Sequence, residues 1–146
     1  MAVFADNRKA YFNYEIVETY EAGIELFGFE VKAVKAGTAS LAGAYAIVRG
    51  GEVYLLNAHI PPYQKNNTDT GYDPERTRKL LLNKKEIKEL ADQNKKLTLV
   101  PLSMYSKGRR IKVELALARG KKLHDKRETI KKRDLDREQS REYTDR

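Results

Sequence analysis

Leu97-Thr98-Leu99-Val100-Pro101-Leu102-Ser103-Met104-Tyr105, a turn around Lys107-Gly108, and then Ile111-Lys112-Val113-Glu114-Leu115-Ala116-Leu117-Ala118 form the stretch that decides the fold. In the second arm Ile111, Val113, Leu115 and Leu117 fall on one face of a strand, while Lys112 and Glu114 fall on the other. That pattern predicts a half-buried hairpin with a charged outer surface. A second hairpin is predicted from Ala44–Val48 and Val53–Leu56, because the Gly50-Gly51 pair between them tolerates the positive φ of a tight turn. Residues 12–20 are rich in aromatic and β-branched types and read as a further strand. Residues 21–27 fit either a short helix or a strand, and 61–72 read as a polar loop. Asp73-Pro74 reads as a helix start. Asn83 with Glu86 three residues on resembles a capping box, and Ile87, Leu90 and Ala91 follow at helical spacing, predicting a helix over about 84–92. Five or six short strands and a helix within roughly 120 residues predict a mainly β fold, a small OB-like antiparallel barrel with flanking short helices.

The chain has 146 residues, with 29 Lys plus Arg against 21 Asp plus Glu, a formal charge of +8 and a pI near 9.6. A field of that sign attracts polyanions and points to nucleic acid. Residues 121–146 hold 10 of the basic and 7 of the acidic side chains, with only Leu123, Ile130, Leu135 and Tyr143 as large apolar groups. That segment cannot bury enough surface to offset its ordering entropy. Yet Arg133, Arg137 and Arg141 recur every four residues and would line one face of a helix. Two parts are therefore expected: a barrel over 1–120 and a basic tail over 121–146 that becomes helical on a partner. Cysteine is absent, which removes disulfides and thiolate metal sites. The opening residues do not read as a signal peptide, and no apolar run approaches the ~20 residues of a membrane span. A cytoplasmic protein without membrane contact is expected, as a monomer.

Enzymatic chemistry finds little support. His59 and His124 are far apart and lack metal-site neighbours; His59, between Ala58 and Ile60, reads as a packed histidine. No nucleophile elbow or phosphate-binding glycine loop occurs, and Glu86 and Glu89 fall on a solvated helix face. No catalytic residue, metal or cofactor is expected. What remains is three cationic runs: Asn7-Arg8-Lys9, Arg76-Thr77-Arg78-Lys79 and Gly120-Lys121-Lys122. Such runs beside tyrosines fit phosphate contact with base stacking.

Several blocks in order resemble the SsrA-binding protein (SmpB) family: Asn7-Arg8-Lys9-Ala10, Glu21-Ala22-Gly23-Ile24, Glu30-Val31-Lys32 with Ala36-Gly37, Asp73-Pro74-Glu75-Arg76-Thr77-Arg78-Lys79-Leu80-Leu81-Leu82, and Gly120-Lys121-Lys122-Leu123-His124-Asp125-Lys126-Arg127-Glu128. The resemblance implies an adaptor that binds the transfer-RNA-like domain of transfer-messenger RNA and delivers it to stalled ribosomes for trans-translation and nascent-chain tagging. It also implies RNA-binding roles for Asn7, Glu21, Leu81 and Lys112. Gly120, His124, Asp125, Lys126 and Arg127 match its ribosome-facing junction at the small-subunit decoding centre. Lys131, Lys132, Arg133, Arg137 and Arg141 would then pair with ribosomal RNA phosphates along the message channel. Two departures are small: Asp92-Gln93-Asn94-Lys95-Lys96 lacks a glycine common there, and Val34-Lys35 replaces a usual Leu-Arg pair. A structural ribosomal or assembly protein shares the composition and pI, but not these ordered blocks.

Overall fold

The computed structural model describes residues 2–62, 71–93 and 96–120. The elements in chain order are β1 (Val3–Asp6), α1 (Arg8–Asn13), β2 (Tyr14–Ile24), α2 (Gly28–Lys35), β3 (Tyr45–Arg49), β4 (Glu52–Leu56), β5 (Arg78–Leu81), α3 (Lys84–Gln93), β6 (Thr98–Lys107) and β7 (Arg110–Gly120). All strand pairings are antiparallel. The order β6-β3-β4-β5-β2-β7 closes on itself through the β6–β7 hairpin, and β1 adds to β6 outside that ring. This is the expected OB-like barrel.

The long strands make closure possible. β2 pairs with β7 from Tyr14 to Gly23 and with β5 at Gly23 and Ile24, so one strand serves two neighbours. Its register shifts between Ile16 and Glu18, and that of β6 shifts between Pro101 and Ser103. Such bulges bend a strand and increase its twist, as a small barrel requires. Proline at position 101 also lacks the N–H that a regular ladder would use.

Inward side chains of every strand fill the interior, among them Tyr20, Val53, Leu55, Leu80, Leu99, Met104, Val113, Leu115 and Leu117. A smaller cluster, Ala10, Val100, Leu102, Ala116 and Ala118, lies where α1 covers β6 and β7. The alternation of β7 therefore stops at Leu115, and the strand is buried on both faces from there to Ala118. Both predicted hairpins form, with positive φ at Gly50 (59°), Gly51 (75°) and Gly108 (62°). The capping box is present too: Asn83 Oδ1 accepts from Glu86 N at 2.8 Å, and Glu86 Oε1 accepts from Asn83 N at 3.3 Å.

Three local readings differ and one open segment is decided; first, Phe12 and Asn13 belong to α1, so the strand read over 12–20 begins at Tyr14. The ambiguous segment 21–27 continues β2 to Ile24 and then leaves as a loop. The helix lies beyond it, at α2, where a buried Glu30 beside Ala33 and Val34 hides the apolar period. Asp73-Pro74 begins a single turn, not a helix: Asp73 Oδ1 accepts from Glu75 N at 2.9 Å, and Arg76 N donates to Asp73 O at 3.1 Å. The chain then straightens into β5. His59 is not packed; its side chain is 47% exposed, with Nδ1 3.7 Å from the Glu75 carboxylate.

One polar network ties α2 to β5. Glu30, fully buried, accepts from Arg76 through Nε at 3.1 Å and through Nη2, from Arg78 Nε at 2.8 Å, and from the Phe27 backbone N–H at 2.7 Å. Arg78, also fully buried, further donates from Nη1 to Ala58 O (2.7 Å) and Arg76 O (3.2 Å), and from Nη2 to Tyr72 Oη (3.0 Å) and Pro74 O (2.9 Å). All five of its N–H donors thus have acceptors. The Tyr72 hydroxyl lies 2.8 Å from both Glu30 Oε2 and Ile60 O. No buried side-chain polar atom among the described residues lacks a partner. Burial would push the Glu30 carboxyl up, but its bonds from Arg76, Phe27, Arg78 and Tyr72 hold it below its ordinary value of 4.5.

Removing the Glu30 charge leaves Arg78 buried without its counter-ion, so Glu30→Ala is expected to lower stability by about 3–5 kcal/mol in urea denaturation. Because the folded-state value is depressed, the stability that Glu30 contributes is complete above pH 4.5 and declines as pH falls through the lowered value. An acid titration of the Glu30→Gln variant should lack that component.

Candidate nucleic-acid interface

The pairing registers place four outward residues in one line across the barrel. Leu81 on β5 faces Gly23 on β2, Gly23 faces Lys112 on β7, and Lys112 faces Tyr105 on β6. Directly opposed residues project from the same side of a sheet, so this row forms one surface. Leu81 is 48% exposed, whereas its neighbour Leu80 is in the core. The adjacent leucines point opposite ways because strand side chains alternate.

Gly23 is the low point of the row. A β-carbon there would lie 3.3 Å from Leu81 Cβ and 3.6 Å from Lys112 Nζ. The absent side chain leaves that space to Leu81 Cδ1 and the Lys112 ammonium, 3.5 and 3.6 Å from where a β-carbon would stand. Two residues earlier, Glu21 accepts from Tyr105 Oη at 2.6 Å and from Lys107 Nζ at 3.1 Å. Hydrogen bonds from Tyr105 and Lys107, then the charges of Lys107 and Lys112, hold the Glu21 carboxyl below its ordinary value. The Tyr105 hydroxyl is raised, first by burial and then by the Glu21 carboxylate. Glu21 also sits opposite Glu114 across the β2–β7 ladder. The phenol and two lysines offset that like-charge pair. The result is an aliphatic platform, a phenol, a carboxylate acceptor and two ammonium groups on one exposed face. Such a set can hold a phosphate, support an unstacked base and accept from a base or ribose donor.

The other expected contacts are scattered. Arg8, with its side chain 92% exposed, and Lys9 are open to solvent on α1. Asn7 is buried, its Nδ2 donating to Pro101 O at 2.9 Å and its backbone N to Leu102 O at 2.8 Å. It anchors α1 to β6 and does not face the row. Arg78 departs furthest from its expected role: with no exposed surface and every donor occupied, it cannot reach a phosphate. Arg76 is one-quarter exposed and bound to Glu30, its guanidinium 4.1 Å above the Phe27 ring. Lys79 lies 3.4 Å from Glu52 on the outer face of β5. Gly120 ends β7 opposite Tyr14. Lys121, Lys122, His124, Asp125, Lys126, Arg127, Lys131, Lys132, Arg133, Arg137 and Arg141 lie outside the described residues. Sequence reasoning missed Gly23, Tyr105 and Lys107 as parts of the site. Their only signal was the register that sets them beside Glu21 and Lys112. No group of three potential metal ligands occurs among the described residues, and no helix there is long and apolar enough to cross a membrane.

A small closed antiparallel barrel with an outer face of cations, phenol and aliphatic surface defines the class: an oligonucleotide-binding-type module. Within that class the chain belongs to the SmpB protein family, whose model matches residues 4–145. The SsrA-binding protein of Synechocystis sp. (strain ATCC 27184 / PCC 6803 / Kazusa) is 55% identical over 141 residues, 95% of this chain and 92% of the relative. That of Mesoplasma florum is 53% identical over 143 residues, 97% and 96% of the two chains. A solved chain from "tmRNA-SmpB: a journey to the center of the bacterial ribosome" superposes with a TM-score of 0.68 at 47% identity, covering 86% of this chain and 92% of that one.

Replacing Glu21 by Gln removes a carboxylate that raises the Tyr105 hydroxyl. The Tyr105 titration, followed by NMR of ring-labelled protein, should move toward its ordinary value of 10.0. An unmoved titration would mean that the 2.6 Å contact does not persist in solution.

Proposed function

We propose that this chain is an RNA-binding adaptor that holds the transfer-RNA-like domain of transfer-messenger RNA and brings it to stalled ribosomes for trans-translation and nascent-chain tagging. The observation on the molecule that carries the reading is the Leu81–Gly23–Lys112–Tyr105 row with Glu21 at its side. It places phosphate, base and ribose partners together on rigid strands, where geometry is best held. Family membership, relatives named SsrA-binding protein and a structural neighbour described with tmRNA and the bacterial ribosome support the same reading.

In this reading the work is binding, not catalysis, and it takes place in the cytoplasm with the ribosomes. Lys112 attracts a phosphate. Leu81 gives a base an apolar floor, and Glu21 discriminates, because a carboxylate accepts from donors and repels phosphate. Arg8 and Lys9 extend the basic field, while Arg76 and Arg78 support the site from within by holding the start of β5. The barrel of residues 1–120 binds the RNA. The tail of residues 121–146 addresses the ribosome, its cations Lys131, Lys132, Arg133, Arg137 and Arg141 meeting ribosomal RNA as a helix.

The test is a salt series of binding to the transfer-RNA-like domain, with an ordinary transfer RNA as competitor. Preference for the former should survive as salt rises; equal affinities fading together would leave only a cationic binder. Lys112→Ala should weaken binding and reduce the salt slope by about 0.9, one phosphate's share. Deleting residues 121–146 should leave RNA affinity nearly unchanged and abolish rescue in a stalled-ribosome translation assay. Equal loss of both would sink the division of labour.

A further inference from the structure

Beyond this row, the outer faces of β3, β4 and β5 carry a second patch. Ile47 faces Tyr54, and Tyr54 faces Lys79 across the ladder; Arg49 faces Glu52 on the hairpin. Ala46, Val53 and Leu55 from the same strands are buried inside. Alternation therefore forces Ile47, Tyr54 and Leu56 outward, and each is only half-buried. Together with Arg49, Gly50 and Thr77 they bound an open depression of about 480 Å³. Lys79 lies 3.4 Å from Glu52, and Arg49, which is exposed, forms no ion pair among the described residues.

We propose that this depression is a second RNA-contact surface, in which an unstacked base lies on the Tyr54 ring between Ile47 and Leu56 while Arg49 and Lys79 hold the flanking phosphate. The inference rests on the RNA-binding reading and extends it to a surface that reading does not use. Aromatic stacking with a cation beside it is how single-stranded nucleotides are held without sequence readout. Arg49 stands opposite Glu52 and Lys79 is paired with it, so the three groups leave one net positive charge on the rim of the apolar floor, which suits a phosphate beside a base better than a purely apolar segment. Glu52 keeps Lys79 oriented along the face. The patch also continues the first surface: Lys79 and Leu81 both point outward from β5, two residues and roughly 7 Å apart. One RNA strand crossing β5 would touch both.

The experiment measures binding of full-length chains to the transfer-RNA-like domain RNA, with Lys112→Ala as reference and thermal melting as a check on folding. Tyr54→Leu should weaken binding about tenfold, while Tyr54→Phe, which keeps the ring, should bind nearly as the parent. Arg49→Glu should weaken binding and lower the salt slope by about 0.9. If Tyr54→Leu lowers the melting temperature, the exposed Arg49→Glu decides alone. Parent-like affinity of Arg49→Glu, with Lys112→Ala impaired, would overturn the second surface and leave the RNA-binding reading standing. Parent-like affinity of every variant, Lys112→Ala included, would remove both. Patch variants that keep RNA affinity but lose ribosome association would identify the occupant as protein and also overturn the proposal.

Discussion

Glu30 is taken wholly out of water, and a lone carboxylate could not remain ionised there. It stays charged because two arginines from a segment more than forty residues away close on it, one of them as deeply buried as the acid itself. Arg78 does more than neutralise. Its five donors gather the carbonyls of Ala58, Pro74 and Arg76, the Tyr72 hydroxyl and Glu30, so that three separate stretches, at Glu30, at Ala58 and over 72–78, meet at one guanidinium. Lysine, with three donors on a point charge, could not make that set.

The constraint propagates along β5. Fixing Arg78 inward sets the parity of the strand: Leu80 must also point in, and Lys79 and Leu81 must point out. β5 lies between β4 and β2 in the closed ring, so its parity aligns the outer faces on either side of it. A slip of one residue would bury Lys79 and Leu81 and turn both arginines toward solvent. A buried ion pair seldom adds much net stability, but it does penalise wrong registers severely. Here it selects the register on which the Leu81–Gly23–Lys112–Tyr105 row depends.

The same logic separates supporting cations from contacting ones. Arg76, Thr77, Arg78 and Lys79 form one basic run in the chain, yet their side chains have different tasks. Arg76 lies over the Phe27 ring and binds Glu30, Arg78 is interior, and Lys79 is on the surface beside Glu52. A fully occupied guanidinium offers nothing to a phosphate. The positive field at the site instead comes from Lys107 and Lys112, which lie on the two arms of one hairpin.

By itself the sequence determined what depends on near neighbours in the chain. The β6–β7 and β3–β4 hairpins were legible because alternation and paired glycines are local rules, and α3 because Asn83 and Glu86 cap it from three residues apart. Net charge and the ordered motif blocks pointed to RNA without any coordinates. Tertiary structure alone decided what depends on groups far apart in sequence. α2 was hidden because its central buried residue is an acid whose partners lie 46 and 48 positions later. Asn7 read as an RNA contact within a cationic run, because nothing local shows that Pro101 O, 94 positions away, accepts its amide proton. Arg78 read as a phosphate contact because a basic run carries no mark of which cation turns inward. Gly23, Tyr105 and Lys107 joined the site only through cross-strand register, which is set by closure of the whole barrel and not by any one segment.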